Sequence, residues 1–453
     1  MTRSLYVLTM LSVALLVGCA APVTPGASAD RPGQVAQRWD YVVNVPLETG
    51  DTPVSLSKSL GGTVLSWNDS QCAQAGGEAC EALLGMNTGQ TLSAQTLNAQ
   101  TLSALGAGRN VYIEPNRDVF SGGGTVTATF SGSLGLWAGG SLGLWAGGSL
   151  GLWAGGSYSP LPQNTQVWSK INLQAAHKLA SNLGAGVTVA VIDTGLDLNH
   201  PAFQGSLTDP VTWQDFYAND AVPQDEGTLG MGAYGHGTNV AGIVLQVAPR
   251  AKIMPLRVLG PDGSGDVATV ARAIDWAVSK GANIINLSLG SSDNSKVVQD
   301  AVKRATLRNI LVMSSAGNAN VNKITYPAAS ASEKDSGINI LSVGSVDLAD
   351  QKSSFSNYSD RLKVMAPGEN VYAPAPGGRI AAWSGTSQAT PMAAGGLALA
   401  LGQTLKVPVG DLTSVLAQAA FDIYDVPGNA AYDKKLGIKG RLDLAAFLSA
   451  AVN

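Results

Sequence analysis

The stretch Gly385-Thr386-Ser387-Gln388-Ala389-Thr390-Pro391 places a serine in a turn of small residues, directly before an apolar segment of helical character. Two upstream stretches contain the partners that a reactive serine needs. Val189-Ala190-Val191-Ile192-Asp193 ends an apolar run in an acid, and Gly235-His236-Gly237-Thr238 places a histidine among glycines. An acid, a base and a nucleophile therefore follow one another along the chain.

These three residue types can together break an amide bond. A serine hydroxyl is too weakly acidic to attack an amide at neutral pH, so an imidazole must take its proton during attack and return it to the leaving amine. Ser387 and His236 suit these roles. Asp193 suits a third role, because a carboxylate fixes the tautomer of the imidazole and stabilises the imidazolium that forms.

The chain has only three histidines, which bounds the choice of the base. His177 lies in a helical-looking stretch, where a solvated surface residue is expected. His200 precedes Pro201 in a loop, where a polar loop contact is expected. Only His236 is followed by apolar residues at helical spacing and flanked by glycines that leave room for backbone and substrate. His236 is therefore the predicted base.

The order Asp193, His236, Ser387, with these flanking residues, resembles the subtilisin-like serine peptidases. Similar segments extend from Trp168 to about Phe447. The resemblance implies a serine endopeptidase that cleaves proteins or peptides through an acyl-enzyme. It implies no cofactor for catalysis, and it leaves structural calcium open.

Two further motifs extend the resemblance to oxyanion and substrate binding. Ser315-Ala316-Gly317-Asn318 resembles the family's oxyanion motif, in which the side-chain N–H of Asn318 and the backbone N–H of Ser387 would bind the negative oxygen of the intermediate. Ser288-Leu289-Gly290 ends a stretch that resembles the family's substrate-pairing strand. The resemblance therefore implies substrate contacts at these three residues.

Three positions depart from the family pattern. Gln388 stands where a methionine commonly follows the nucleophile, Met392 where a histidine commonly follows the proline, and Asn239 where a second histidine is usual. None is a triad or oxyanion position. Altered packing or specificity is expected, rather than lost chemistry.

Alternating apolar runs and helical patterns predict an α/β fold. The apolar runs that predict buried strands are 187–192, 251–259, 282–289, 309–313 and 338–346. A helix is predicted over 266–280. This alternation predicts a subtilisin-like parallel sheet flanked by helices. His236 and Ser387 should begin helices, with Pro391 in the first turn of the second one.

Composition bounds the remaining classes. The chain has 453 residues, of which 45% are hydrophobic and 13% are charged, so it can bury a large core and should hold more than one folded unit. Its formal net charge of -4 gives no electrostatic reason to expect nucleic acid as a partner.

The N-terminal residues predict export. Arg3 precedes the apolar run Leu5 to Val17, which is shorter than the ~20 residues of a membrane-spanning helix, so residues 1–18 are predicted to be a signal peptide. Leu16-Val17-Gly18-Cys19 resembles the bacterial lipobox, which implies lipidation of Cys19 and a membrane anchor in the cell envelope. The alternative is ordinary cleavage nearby, which would release a secreted protein.

Residues 19–38 are rich in Ala, Pro, Gly and Ser and predict a tether. Residues 39–119 return to a globular pattern and resemble the family's inhibitory propeptide, with Tyr41 to Val45 as an opening strand and Asn110 to Asn116 as the last one. The resemblance implies a small α+β prodomain that assists folding and inhibits its own enzyme until it is removed. An unrelated α+β module is the alternative.

An octapeptide, Ser133-Leu134-Gly135-Leu136-Trp137-Ala138-Gly139-Gly140, occurs three times in succession. A period of eight residues is too short for the usual solenoid unit. Residues 120–160 are therefore predicted to link the prodomain to a catalytic domain at 161–453. The repeated tryptophans leave open a role at a membrane interface or as a cleaved inhibitory segment.

The cysteines agree with export. With Cys19 assigned to lipid, Cys72 and Cys80 remain as the only pair. In an oxidising compartment they could form a disulfide, and two free thiols are the alternative. No histidine or further cysteine lies nearby, so no metal site is predicted.

Three functional hypotheses follow. The leading one is an exported, lipid-anchored serine endopeptidase, made as a self-processing zymogen. The second is a catalytically silent surface lipoprotein that binds peptides with the same fold; the complete set Asp193, His236, Asn318 and Ser387 argues against it. The third is a structural or adhesion protein that acts through its repeats. Labelling by an active-site-directed fluorophosphonate would separate the first from the other two.

Overall fold

The computed structural model describes residues 39–60, 62–69, 80–87, 111–121, 162–228, 231–332 and 340–453. All of them fall within one structural unit, Val35–Asn453. The strands in these ranges are β1 (Tyr41–Pro46), β2 (Thr63–Asn68), β3 (Glu81–Met86), β4 (Tyr112–Pro115), β5 (Asp118–Ser121), β6 (Thr188–Asp193), β7 (Gln214–Asp215), β8 (Lys252–Arg257), β9 (Ser264–Asp266), β10 (Ile284–Leu287), β11 (Leu289–Gly290), β12 (Leu311–Ser315), β13 (Ile340–Val346), β14 (Val364–Pro367), β15 (Val371–Ala375), β16 (Arg379–Trp383), β17 (Phe421–Asp422) and β18 (Gly440–Arg441). The helices are α1 (Pro53–Leu60), α2 (Thr165–Lys170), α3 (Leu173–Leu179), α4 (His236–Val247), α5 (Val267–Ser279), α6 (Lys296–Leu307), α7 (Thr386–Leu401), α8 (Leu412–Gln418) and α9 (Leu444–Ala451).

A nine-stranded sheet runs through the larger part of the described chain, in the order β17-β18-β14-β13-β12-β10-β6-β8-β7. Neighbouring strands are parallel except β17 and β18, which are antiparallel. The central strands β10, β12 and β13 are buried along their whole length. Parallel strands covered on both faces need apolar side chains at successive positions, which is why the apolar runs predicted them. The predicted α/β class with a mainly parallel sheet is confirmed.

Helices cover both faces of this sheet, and β6 shows why. Val189 and Val191 belong to the core that contains α4 and α7, whereas Ala190 and Ile192 belong to the core that contains α5 and α6. Successive strand residues point to opposite faces, so each layer of helices receives alternate side chains. Asp193 ends β6 at the carboxyl edge of the sheet.

The N-terminal part is a four-stranded antiparallel sheet in the order β2-β3-β1-β4, with α1 on one face. Val43, Leu56 and Leu84 are buried between the sheet and α1. Val42 and Leu83 point to the other face and join the core formed with α5 and α6. The N-terminal sheet therefore packs against these two helices of the larger part.

Two sequence predictions about local structure are wrong. Pro391 does not lie in the first turn of its helix, because α7 begins at Thr386 and Pro391 is its sixth residue. The missing N–H leaves the carbonyl of Ser387 without its helical partner, and the Ser288 hydroxyl donates to that oxygen instead, at 2.9 Å. His177 is half-buried rather than solvated, with Nε2 2.8 Å from the carbonyl oxygen of Val247, and burial lowers its pKa.

The predictions for His200 and for the cysteines can be compared with the structure only in part. His200 makes the expected loop contacts, accepting from the N–H of Ala202 and lying 2.9 Å from the carbonyl oxygen of Arg379. Cys80 takes part in a disulfide, so it is not a free thiol. Cys19 and Cys72, the tether and the octapeptide repeats lie outside the described residues. Within the described ranges, no helix is long and apolar enough to cross a membrane.

Candidate active site

Asp193 and His236 form a buried pair at the carboxyl edge of the sheet. Asp193 Oδ1 lies 2.7 Å from His236 Nδ1 and also accepts a hydrogen bond from the N–H of Thr194 at 2.7 Å. Both side chains are fully buried. The second ring nitrogen, Nε2, is buried and has no hydrogen-bond partner among the described residues. The carboxylate therefore holds one side of the imidazole and leaves the other side free to accept a proton.

Close packing around His236 explains its neighbours in the sequence. A Cβ on Gly237 would come within 2.2 Å of the carbonyl oxygen of Gly195, which follows the acid by two residues. Gly235 has a φ of 93°, a conformation that side chains disfavour. Trp383 packs edge-on against the imidazole, with ring centroids 5.8 Å apart. The glycines on both sides of His236 therefore let its ring approach Asp193, while Trp383 packs against the ring.

Ser387 is the second residue of α7 and is fully buried. Its hydroxyl donates to the carbonyl oxygen of Ser288 at 3.2 Å rather than to His236. Hydrogen bonds between catalytic groups are often long or unformed before substrate binds. The hydroxyl is therefore turned toward the backbone before β11. The next residue, Gln388, contacts Asn239, three residues after His236, so α7 begins close to the helix that carries the predicted base.

Asn318 lies three residues beyond β12 and contacts the start of α7. Its Oδ1 accepts hydrogen bonds from the backbone N–H of Thr386 at 2.9 Å and from the Thr386 hydroxyl at 3.0 Å. Its Nδ2 is buried without a hydrogen-bond partner in the described part of the chain. Because Thr386 fixes the oxygen, the amide N–H group is the end of Asn318 that remains available to an anion.

Asp225, which no sequence motif indicated, links the loop after Asp193 to the start of α4, and it accepts a hydrogen bond from the Thr194 hydroxyl at 3.4 Å. Its Oδ1 accepts from the N–H of Gly235 at 3.1 Å, and its Oδ2 accepts from the hydroxyl and the N–H of Thr238, at 2.6 and 3.3 Å. Gly237 N–H in turn donates to the hydroxyl of Thr194 at 2.9 Å. Asp225 therefore satisfies backbone donors at the start of α4, where His236 lies.

Asp225 gives a testable pH dependence of stability. Burial raises the pKa of its carboxyl to about 6, against the hydrogen bonds from Thr238 and Gly235, which lower it. Between about pH 4 and pH 6 the folded chain retains a proton that the unfolded chain has released, so the free energy of unfolding falls as the pH rises through this window. Asp225→Asn is expected to remove this part of the slope.

Urea unfolding at several pH values, in a Ser387→Ala chain that cannot digest itself, would measure the slope. Asp425→Asn, at an exposed position, is the control and should leave the slope unchanged. The expectation is contradicted if the free energy of unfolding varies with pH between 4 and 6 equally in Asp225→Asn and its parent.

The chain's own strand β5 occupies the edge where substrate pairing was predicted. It lies between β9 and β11 in a three-stranded antiparallel sheet. Ser121 pairs with Leu289, and Phe120 pairs with both Gly290 and Ser264. The predicted boundary between residues 119 and 120 is therefore not a structural boundary, because it falls within this strand.

Val119 anchors β5 in an apolar recess. The side chain is 4% exposed and packs with Val267, Val270 and Leu289 in the core beneath α5. A fully buried side chain of this size contributes roughly 1.5–3 kcal/mol. The strand is thus held both by backbone pairing and by a side-chain pocket, as a bound peptide strand would be.

Two of the three positions that depart from the family pattern contact each other. Gln388 Nε2 donates to Asn239 Oδ1 at 3.3 Å, and both side chains are fully buried. Met392 is also fully buried. The effect of these residues on specificity stays a prediction. Among the described residues, no group of three or more His, Cys, Asp or Glu side chains is placed to hold a metal ion.

A buried Asp–His pair, a serine at a helix start and an amide beside it, all at one edge of an α/β sheet, are typical of serine hydrolases. Comparison with known families makes this class specific. Residues 184–440 match the family described as the subtilase family, which is more than half of the chain. The chain therefore belongs to the subtilase family.

Several characterised proteases are similar to this chain. Subtilisin Savinase from Lederbergia lenta is 38% identical over 242 residues, which cover 51% of this chain and 81% of that protein. Alkaline protease from Alkalihalobacillus alcalophilus is 38% identical over 242 residues, covering 51% of this chain and 58% of the relative. Thermitase from Thermoactinomyces vulgaris is 38% identical over 222 residues, covering 47% and 74%.

Proposed function

We propose that this chain is a serine endopeptidase that hydrolyses peptide bonds in proteins. The observation that carries the proposal is the 2.7 Å contact between Asp193 and His236, with Nε2 of the imidazole buried and unpaired among the described residues, in a member of the subtilase family. The similarity to proteins named subtilisin and alkaline protease supports the same reaction.

The residues divide the reaction as follows. The Ser387 hydroxyl attacks the substrate carbonyl carbon while His236 Nε2 takes its proton, and Asp193 stabilises the imidazolium. Asn318 Nδ2 and the N–H of Ser387 donate to the negative oxygen of the tetrahedral intermediate. His236 then protonates the leaving amine, the C–N bond breaks, and the acyl group stays on Ser387. Water, deprotonated by His236, hydrolyses this acyl-enzyme.

The N-terminal part acts in this proposal as an intramolecular inhibitor, since it places β5 along the substrate-binding edge. Its attachment is built from helix caps. Glu114 accepts hydrogen bonds at the start of α6 from the Ser295 hydroxyl (2.5 Å) and the N–H groups of Lys296 and Val297 (3.0 and 3.2 Å). Asn116 Oδ1 accepts at 3.1 Å from the N–H of the second residue of α5. The carboxylate of Glu114 and the amide oxygen of Asn116 also interact favourably with the positive ends of the two helix dipoles.

A buried cation strengthens the same attachment. Arg304 on α6 donates to Glu81 of the N-terminal sheet at 2.8 Å and to both oxygens of Asp275 on α5 at 3.0 and 3.1 Å. Ser66 and Asn68 also donate to Asp275, at 3.1 and 3.2 Å. Release of the N-terminal part would expose these charges to water, which limits the net free energy that holds it.

The register of β5 predicts where the chain first cuts itself. Ser121 pairs with Leu289, and the preceding carbonyl, that of Ser288, lies 3.2 Å from the Ser387 hydroxyl. The residues that follow Ser121 should therefore reach the nucleophile, so we expect the first new N-terminus within the glycine run 122–124. These glycines lie outside the described residues.

N-terminal sequencing and intact mass at early times would locate this cut. Val119→Asp, which puts a charge into the apolar recess, is expected to slow processing there by at least about tenfold. Val54→Asp is the control, since Val54 is 77% exposed on the same part of the chain. An early N-terminus outside residues 122–124, together with equal rates for the two variants, would contradict the inhibitory placement.

The enzymatic proposal itself is tested with casein. The purified full-length chain should lose its N-terminal part first and then digest casein at internal bonds, with new N-termini appearing in that order. A chain that is processed by an added protease and still leaves casein intact would contradict the proposal and favour a peptide-binding role.

We also propose export, with a lipid on Cys19, on the support of the lipobox-like residues 16–19. Incorporation of labelled palmitate, lost in Cys19→Ser, would test the anchor. Pairing of Cys72 with Cys80 and structural calcium remain proposals as well. Peptide mapping without reduction tests the first, and the effect of a calcium chelator on Tm tests the second.

A further inference from the structure

The loop that carries Asn318 has little support of its own. Gly317 and Asn320 have φ angles of 99° and 55°, so left-handed residues stand on both sides of Asn318. Ala319 and Asn320 are exposed to solvent. Such a segment contains no regular ladder of backbone hydrogen bonds, and its N–H and C=O groups need other partners.

One buried side chain provides these partners. Asn357 is 1% exposed, and its Oδ1 accepts hydrogen bonds from the N–H groups of Ala319 at 2.9 Å and Val321 at 3.2 Å. Its Nδ2 donates to the carbonyl oxygen of Ala316 at 3.1 Å. Its own N–H donates to the carbonyl oxygen of Gly317 at 2.9 Å. The contacts therefore fall on the backbone before and after Asn318.

A second group holds the outer turn of the same loop. The ammonium of Lys352, which is 8% exposed, donates to Asn320 Oδ1 at 2.8 Å and to the carbonyl oxygens of Ser353 and Ser356 at 2.8 and 3.0 Å. The segment from Lys352 to Asn357 therefore contacts the Asn318 loop through both of its ends. These contacts, and not hydrogen bonds within the loop, fix the loop's geometry.

We propose that Asn357 is a positioning residue for the oxyanion site. This inference rests on the proposed function, because it assumes that Asn318 Nδ2 donates to the intermediate. Thr386 fixes the oxygen end of Asn318, and Asn357 fixes the backbone from which that side chain projects. A displacement of about 1 Å in a catalytic group can cost on the order of 100-fold in rate, so the clamp acts on turnover.

A double-mutant cycle tests the inference, with kcat and KM measured for a peptide substrate on processed enzyme. Asn318→Ala should lower kcat about 100- to 1000-fold. Asn357→Ala should lower kcat roughly 10- to 100-fold with KM changed less than about threefold, because the interaction develops in the transition state. Asn357→Ala in the Asn318→Ala background should cost less than about threefold further, because the two residues act as one unit.

Two more variants keep the test decisive if Asn357→Ala folds poorly. Asn357→Asp keeps the shape of the side chain but replaces the amide N–H group that donates to Ala316. It should lower kcat as Asn357→Ala does, and only when Asn318 is present. Asn164→Ala is the matched control: Asn164 is fully buried and its carboxamide also makes three hydrogen bonds, to Gln246 and to the backbone of Tyr372. Its variant should lower Tm without coupling to Asn318.

The outcomes separate the two proposals. The wild type is active in the first case. If Asn357→Ala and Asn357→Asp each lower kcat by the same factor in the wild-type background and in the Asn318→Ala background, the positioning role is overturned and the endopeptidase proposal stays intact. A processed wild type without activity would overturn the proposed function and this inference with it.

Discussion

Replacing Ser387 by alanine is expected to lower kcat for a peptide substrate by about six orders of magnitude. The variant has no oxygen for the acyl-enzyme, and water has no comparable position beside His236. It should also stay at full length, because the strand β5 then faces no nucleophile. Both results are measured on the same preparation, by hydrolysis of a chromogenic peptide and by intact mass.

The control for this variant is Ser314→Ala on β12. Ser314 is fully buried, and its hydroxyl has no hydrogen-bond partner among the described residues. Its loss should leave processing and kcat unchanged. Trace wild type is added to a second sample of Ser387→Ala to remove the N-terminal part in trans, so that inhibition and lost chemistry are separated. A Ser387→Ala chain that processes itself would contradict the assignment.

Asp193→Asn is expected to lower kcat by about 10⁴-fold with a small change in KM. The carboxylate Oδ1 now lies 2.7 Å from His236 Nδ1 and keeps Nε2 free to accept the serine proton. An amide can donate to Nδ1, which would move the ring proton to Nε2 and remove the base. The imidazolium would also lose its counter-charge.

Steady-state kinetics of processed Asp193→Asn would measure this loss, with Asp220→Asn as the control because that carboxylate is exposed. Circular dichroism and Tm should show that the variant is folded. A kcat within about tenfold of wild type would mean that His236 does not depend on Asp193.

The sequence predicted the sheet, and it placed the candidate site residues at the ends of elements, because both inferences depend on local patterns. The run ending in Asp193 is apolar at successive positions because its side chains fill two cores in alternation. The helix predicted over 266–280 begins where Asp266 caps the N–H of Thr269 and ends before Gly281, whose φ is 77°. Motifs at element ends, such as those of His236 and Ser387, therefore fall at one edge of the sheet.

Long-range polar contacts could not be predicted in this way. Asp225 reaches the start of α4 through a loop whose path no periodicity describes. Asn357 supports a loop 36 and 38 residues away. Ser288 stays a predicted substrate contact, and its hydroxyl also donates to the carbonyl oxygen of Ser387, 99 residues further along the chain. That oxygen lacks a helical donor because residue 391 is proline. Such pairings are set by the folded geometry.

In the N-terminal part, too, the strands could be predicted from the sequence, whereas a long-range contact could not. Its opening strand and the strand near residues 110–116 were predicted, and the structure has β1 and β4 there. The insertion of β5 between β9 and β11 was not predicted, because backbone pairing at a sheet edge requires no particular side-chain pattern. The pocket around Val119 gives this strand a sequence preference at that position.

Labelling the processed chain with a fluorophosphonate, and mapping the adduct by peptide mass, would show whether Ser387 is an activated nucleophile. We expect one adduct per chain on the Ser387 hydroxyl, absent in Ser387→Ala and strongly slowed in Asp193→Asn. An adduct on another residue, or none on a processed and folded chain, would contradict this expectation.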